Sequence, residues 1–144
     1  MKRLWRRSRG ERGQAILEFA LAVPFLVAFL LFIADCGLFA YSYVSVANAV
    51  REGARCAAVG GTAGAVSTRV TDTSGGLVNV ITVATPLYAP SPAQIGGSVT
   101  VSATYQYNWI TPVSLVPGMP AFSTFTKTVK MRMETSDTAT KTVC

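Results

Sequence analysis

The sequence predicts an α+β protein in which one long N-terminal helix, lipid-embedded and then exposed, packs on a small three-stranded antiparallel sheet. Three observations predict it. Residues Ala15 to Ile33 are apolar apart from Glu18, Gln14 and Gly13 lying just ahead of them. The stretch Cys36 to Val59 then repeats at three- and four-residue steps, as a helix requires. Beyond Gly76 the period changes to two, as strands require.

The first element is basic. Lys2, Arg3, Arg6, Arg7, Arg9 and Arg12 stand against Glu11 alone, so a leader over 1–13 holds six of the 13 basic residues. The remainder keeps seven bases against six acids, near neutrality, although the whole chain carries +6. A basic tip on a neutral body fits membrane orientation rather than nucleic-acid binding, and it predicts a cytoplasmic N-terminus with the C-terminal domain outside. The helix is expected over 14–59, crossing the membrane at about 15–34, since about 20 apolar residues traverse a hydrocarbon core of roughly 30 Å. Glu18 and Asp35 are 17 steps apart, about 25 Å at 1.5 Å per residue, which places them near opposite faces of the bilayer. Pro24 removes one intrahelical hydrogen bond and predicts a kink that a membrane helix tolerates.

Past the membrane, Leu38, Tyr41, Val44, Ala47/Asn48, Arg51/Glu52 and Arg55 recur at helical spacing, and Gly60-Gly61 stops the helix. A Gly/Thr/Ser-rich connector over 60–76 has room for a short helix at Ala65 to Val70. The β domain is expected over 77–144. Its first strand, Leu77 to Thr85, ends at Pro86. The second, Ser98 to Tyr107, carries Val99, Val101, Ala103, Tyr105 and Tyr107 on one face. In the third, Phe125 to Glu134, Val129, Met131 and Met133 oppose Thr128, Lys130 and Arg132. A three-stranded sheet with one apolar face needs a covering surface, and the outer half of the helix supplies one. Tyr88, Tyr105, Tyr107 and Trp109 are expected to fill that interface, with Trp109 at its rim.

The composition argues against an enzyme. The chain has no histidine, no nucleophile motif, no phosphate-binding loop and widely scattered acids, so no catalytic residue, metal, cofactor or small-molecule substrate is expected. The informative acid is Glu18. A carboxylate in lipid is costly unless it finds a partner, and this one follows Gly13 by five residues.

Gly13-Gln14-Ala15-Ile16-Leu17-Glu18-Phe19, running into Ala20-Leu21-Ala22-Val23-Pro24-Phe25-Leu26 behind a basic leader, resembles the TadE-like pseudopilins (minor pilins) of tight-adherence, Flp-type pilus systems. Ala49-Val50-Arg51-Glu52-Gly53-Ala54-Arg55 is similar to the Ala/Arg/Gly segment that the family carries beyond its span. The resemblance implies cleavage between Gly13 and Gln14 by a prepilin peptidase, with Glu18 and Phe19 as processing and assembly residues. The partners implied are membrane lipid, the peptidase, other pilin or pseudopilin subunits and the pilus assembly platform. Cleavage would release an α-amine of pKa about 8, a counter-charge for Glu18 on its own chain or a neighbour's. The alternative is an uncleaved anchor carrying an extracytoplasmic binding or adhesin domain.

Asp35 reads either as an outer-leaflet acid meeting a partner protein or as an interfacial residue ending the lipid-buried stretch. Arg51, Glu52 and Arg55 read as a solvated face with a Glu52–Arg55 pair, or as partner contacts. Lys127, Lys130 and Arg132 read as one mildly basic strand face protecting an edge. Cys56 and Cys144 would both lie outside the membrane, where a disulfide between them persists; the alternative is two unpaired thiols. Cys36 falls at the membrane boundary and reads as a small helix-packing residue.

Overall fold

The computed structural model describes residues 8–75, 80–111, 118, 120–136, 142 and 144. Most of the leader, Met1 to Arg7, lies outside the described residues, as do 76–79 and most of the Thr-Pro loop. The protein is α+β: α1 (Ser8–Ala58), α2 (Ala63–Ser74), β1 (Val80–Val83), β2 (Leu87–Ala89), β3 (Ser98–Asn108) and β4 (Phe122–Arg132).

Helix α1 runs for 51 residues and passes through Pro24 without a break. Over Gly13–Ala58 it is long and apolar enough to cross a membrane. Two glycines end it. Gly60, at φ 92°, donates its N–H to the Ala57 carbonyl at 3.1 Å, and Gly61 donates to the Cys56 carbonyl at 3.0 Å. This pair of bonds satisfies carbonyls that the helix end would otherwise leave bare, and glycine accepts the left-handed backbone that the motif needs.

The reversal lets α2 fold back along α1. Thr62 caps α2, its hydroxyl accepting from the Ala65 N–H at 3.1 Å, and this extends the helix beyond the Ala65–Val70 stretch expected. Gly53 makes the close approach possible: a Cβ placed there would come within 2.4 Å of a Val70 methyl. Ser45 donates to the Ser74 carbonyl at 2.7 Å, and Glu52 pairs with Arg69 at 3.6 Å. Glu52 therefore reaches across to α2, which corrects the expected pairing with Arg55 along α1.

The sheet is antiparallel and has four strands rather than three. β3 is central, with β4 along one side and β1 and β2 in line along the other. Pro86, which has no N–H to give the ladder, lies beyond the end of β1, and pairing with β3 resumes at Leu87 to make the additional strand β2. The inner face of β3 is the expected one: Val99, Val101, Ala103, Tyr105 and Tyr107 are all buried. In β4 the inner side bears Phe125, Lys127, Val129 and Met131, half-buried, while Lys130 and Arg132 are exposed. Lys127 thus lies on the face opposite Lys130 and Arg132, and the single basic face does not exist. Its ammonium sits 3.5 Å from the centre of the Tyr43 ring. Strand parity requires this, since 127 and 130 are an odd number of residues apart.

The regular stripe of the outer helix is not its buried face. The residues of α1 that face the sheet and α2 are Asp35, Ser42, Val46, Ala49, Val50, Gly53, Ala54 and Ala57. Leu38, Tyr41 and Val44 are exposed. Phe39 packs inward against the aromatic rings of the sheet, while farther along the helix small residues such as Ala49, Gly53 and Ala57 take the inward stripe, Gly53 directly beneath Val70 of α2.

Candidate functional site

From Ile16 to Ile33 the helix is an apolar sleeve without a covering layer. Phe19 is 70% exposed and Phe25 78%. Apolar surface on all sides of a helix matches lipid rather than water or a protein core. At the foot of this sleeve the backbone is helical through Gly13 and Gln14, and the Gln14 side-chain amide donates to the Glu18 carboxylate at 3.1 Å, one turn away. A Cβ on Gly13 would meet nothing within 4 Å, so packing within the chain does not require glycine there. Gly13, Gln14, Glu18 and Phe19 therefore form one exposed surface at the helix foot, with Pro24 a turn and a half above.

The second centre is at the top of the sleeve. Asp35 is fully buried, and the end of the sheet folds around its carboxylate. Oδ1 accepts from the Tyr107 hydroxyl at 2.9 Å and from the Ile110 N–H at 3.0 Å. Oδ2 accepts from the Thr111 N–H at 2.7 Å and from the Thr111 hydroxyl. Burial pushes the acid's pKa up. The bonds from Thr111, Ile110 and Tyr107 favour the charged form and together outweigh burial, so the net shift is downward. The Tyr107 hydroxyl is pushed up to about 12 by burial and by the Asp35 charge it bonds, and it stays a neutral donor.

Aromatic rings close this centre. Phe39, one turn above Asp35, stacks on Trp109 at 5.8 Å and meets Tyr107 edge-on at 5.5 Å and Phe125 at 5.7 Å. Trp109 donates its indole N–H to Ser123 at 3.3 Å. Asp35 is thereby withdrawn from the surface; of its two readings, a residue that ends the lipid-buried stretch fits this burial and an acid open to a partner protein does not. Its bonds are all within the chain. The sequence signal existed: an acid at the top of the span, and Thr111 in a loop with polar backbone groups to satisfy. Phe39 carried no such signal.

The remaining candidates divide. Arg51 and Arg55 are exposed, and Arg51 donates to Asn48 at 3.3 Å. Cys56 and Cys144 are joined, with Cα atoms 5.5 Å apart across 88 residues of sequence. Gly61 fits beneath the bond, where a Cβ would come within 2.5 Å of one sulfur and 2.8 Å of the other. Cys36 is an exposed free thiol and is not packed within the chain. Among the described residues no group of three or more His, Cys, Asp or Glu is placed to hold a metal ion.

One apolar helix rising from its foot into a small helix-backed sheet is the plan of a single-pass membrane protein. The family comparison makes this more specific: residues 13–55 match the family model described as TadE-like protein. The likeness to TadE-like proteins is thus carried by this segment. The match covers the helix as far as Arg55 and leaves the sheet outside it. No curated protein and no solved structure matches the chain.

Proposed function

We propose that this protein is a TadE-like minor pilin, a pseudopilin cut between Gly13 and Gln14 by a prepilin peptidase and used in building a tight-adherence pilus. The observation that carries the reading is where the family match begins, at Gly13, with the sleeve and Glu18 directly behind it. In this reading 1–13 is a cytoplasmic leader, 14–59 the mature helix, and the connector (60–76) and β domain (77–144) lie outside the membrane. The role is structural: the chemistry is done to the chain by the peptidase.

The helix foot supports both steps. The helix continues across the proposed junction, so a peptidase must unwind it locally to reach an extended peptide bond. Glycine lowers that cost by about 1 kcal/mol relative to alanine. Once cut, the new amine at Gln14 lies one turn from Glu18, on the side where the Gln14 amide already meets the carboxylate. Amine and carboxylate then offset one another's cost in lipid, within one subunit or between two. Subunit contacts would use the exposed sleeve, and Arg51 and Arg55 remain available farther out for pilin or platform partners.

The test is the mass of the full chain purified from membranes of cells that carry a prepilin peptidase. The reading expects Gln14 at the N-terminus, processing largely kept in Gly13→Ala, and processing lost in Gly13→Leu. A chain that still begins at Met1 beside an active peptidase sinks it.

A further inference from the structure

We propose that the end of the sheet bearing Trp109, Ile110 and Phe122 rests on the membrane leaflet from which α1 emerges, giving the β domain its own contact with lipid. The inference depends on α1 spanning the bilayer and goes beyond the pilin reading, because it concerns the domain and not the helix.

Height is the first argument. The exposed apolar sleeve from Ile16 to Ile33 is about 26 Å long at about 1.5 Å per residue, close to a hydrocarbon thickness of roughly 30 Å. Asp35 therefore lies where the helix leaves the hydrocarbon. The bonds from Ile110, Thr111 and Tyr107 to Asp35 fix the end of the sheet at that level. Phe122 lies at the same end, because it pairs with Asn108, and the Trp109 N–H donates to the Ala121 carbonyl at 3.3 Å.

Chemistry is the second argument. Ile110 is 64% exposed and Phe122 47%, so neither is covered by the chain itself. Trp109, half-buried at the same end against Phe39, is an aromatic residue of the type enriched at membrane interfaces, with its indole N–H bonded. Charge is graded along the sheet. The sequence has no Asp, Glu, Lys or Arg from Thr73 to Thr126, and on β4 the cations Lys127, Lys130 and Arg132 follow in order away from this end. Lys127 pairs with Ala103, five residues from Asn108, about 17 Å along a strand and above a headgroup layer. Helix α1 shows the same grading, with no charge between Asp35 and Arg51. Exposed apolar residues also occur at the far end of the sheet, where Ile95 is 71% exposed. That end carries Arg132 beside Gly96, and it lies a full strand length from Asp35. Among the described residues, the near end alone combines exposure, absence of exposed charge and the correct height.

The experiment uses the full chain with Cys36→Ser in lipid vesicles, leaving the Cys56–Cys144 bond intact. Single nitroxide labels are placed through Ile110→Cys, Ile95→Cys or Leu26→Cys, and relaxation by oxygen, which concentrates in lipid, is compared with that by a water-soluble nickel chelate. The expected result is lipid-like relaxation at 26, water-like relaxation at 95, and several-fold less nickel access at 110 than at 95. Equal nickel access at 110 and 95, with 26 still lipid-like, overturns the proposal and leaves the spanning helix standing. Water-like relaxation at 26 overturns the spanning helix, and the proposal with it. Shielding of 110 from both agents, with dipolar broadening that vanishes on dilution into lipid, assigns the surface to a second copy of the chain and also overturns the proposal.

Discussion

Replacing Asp35 by asparagine is the most telling perturbation of this molecule, because it keeps the shape and removes one acceptor. The carboxylate receives four donors, two on each oxygen. An asparagine has one oxygen. If it faces Tyr107 and Ile110, its amide group meets the Thr111 N–H; if it faces Thr111, the amide meets the Ile110 N–H. The Tyr107 and Thr111 hydroxyls can rotate to accept, but a backbone N–H cannot, so each orientation leaves one buried donor opposing another. Hydrogen bonds to a charged group contribute roughly 1.5–3 kcal/mol each, and an orphaned buried donor costs about 1–3 kcal/mol. With partial compensation, Asp35→Asn should cost about 2–4 kcal/mol and Asp35→Ala more, while Tyr107→Phe, which removes one donor cleanly, should cost about 1.5–3 kcal/mol. The assay is urea unfolding of the full chain in nanodiscs, followed by Trp109 fluorescence in a Trp5→Phe background. At a urea dependence of about 2 kcal/mol per molar, Asp35→Asn moves the midpoint down by about 1–2 M. The sign with pH is fixed by the lowered pKa of Asp35. Its contribution is complete above the unfolded value near 4 and is lost as pH falls through the lower folded value, and Asp35→Asn should lack that acid-dependent loss. A wild-type midpoint in Asp35→Asn, or the same acid sensitivity in both proteins, would refute this account.

Other expected outcomes follow from neighbouring contacts. Gly53→Ala drives a methyl into Val70 and should lower stability by about 1–3 kcal/mol in the same urea assay, with Gly53→Leu failing to accumulate as folded protein. Cys144→Ser should cost about 2–4 kcal/mol, and reductant should have the same effect on wild type but none on the variant. Arg69→Ala breaks an ion pair between half-exposed side chains, so its midpoint should stay within about 0.5 kcal/mol of wild type. Glu18→Ala should leave leader cleavage intact while reducing pilus yield; an unchanged yield on electron micrographs would remove Glu18 from assembly.

Much of this architecture was legible in the residues. The span, the Gly60-Gly61 stop and the buried face of β3 each rest on a local pattern that tertiary structure had no reason to override. The fourth strand was harder to see, because Pro86 reads as the end of a strand when the chain in fact continues along the same side of β3. The buried face of the outer helix was hidden for a different reason. Hydrophobic size marks Leu38, Tyr41 and Val44, but the sheet and α2 come so close that Ala49, Gly53 and Ala57 are what fit beneath them. Asp35 was legible as unusual and not as buried, since its partners come from more than 70 residues away in sequence. Lys127 was misplaced by reading composition where parity along the strand should have decided.

The β domain is fastened to the helix at two heights, by hydrogen bonds at Asp35 and, through Cys144 of the C-terminal tail, by a covalent bond at Cys56, about 32 Å apart at about 1.5 Å per residue. Such a frame responds to traction unevenly. Tension drawn through the helix is shared with the sheet as long as both fastenings hold, so the outer helix is splinted against bending.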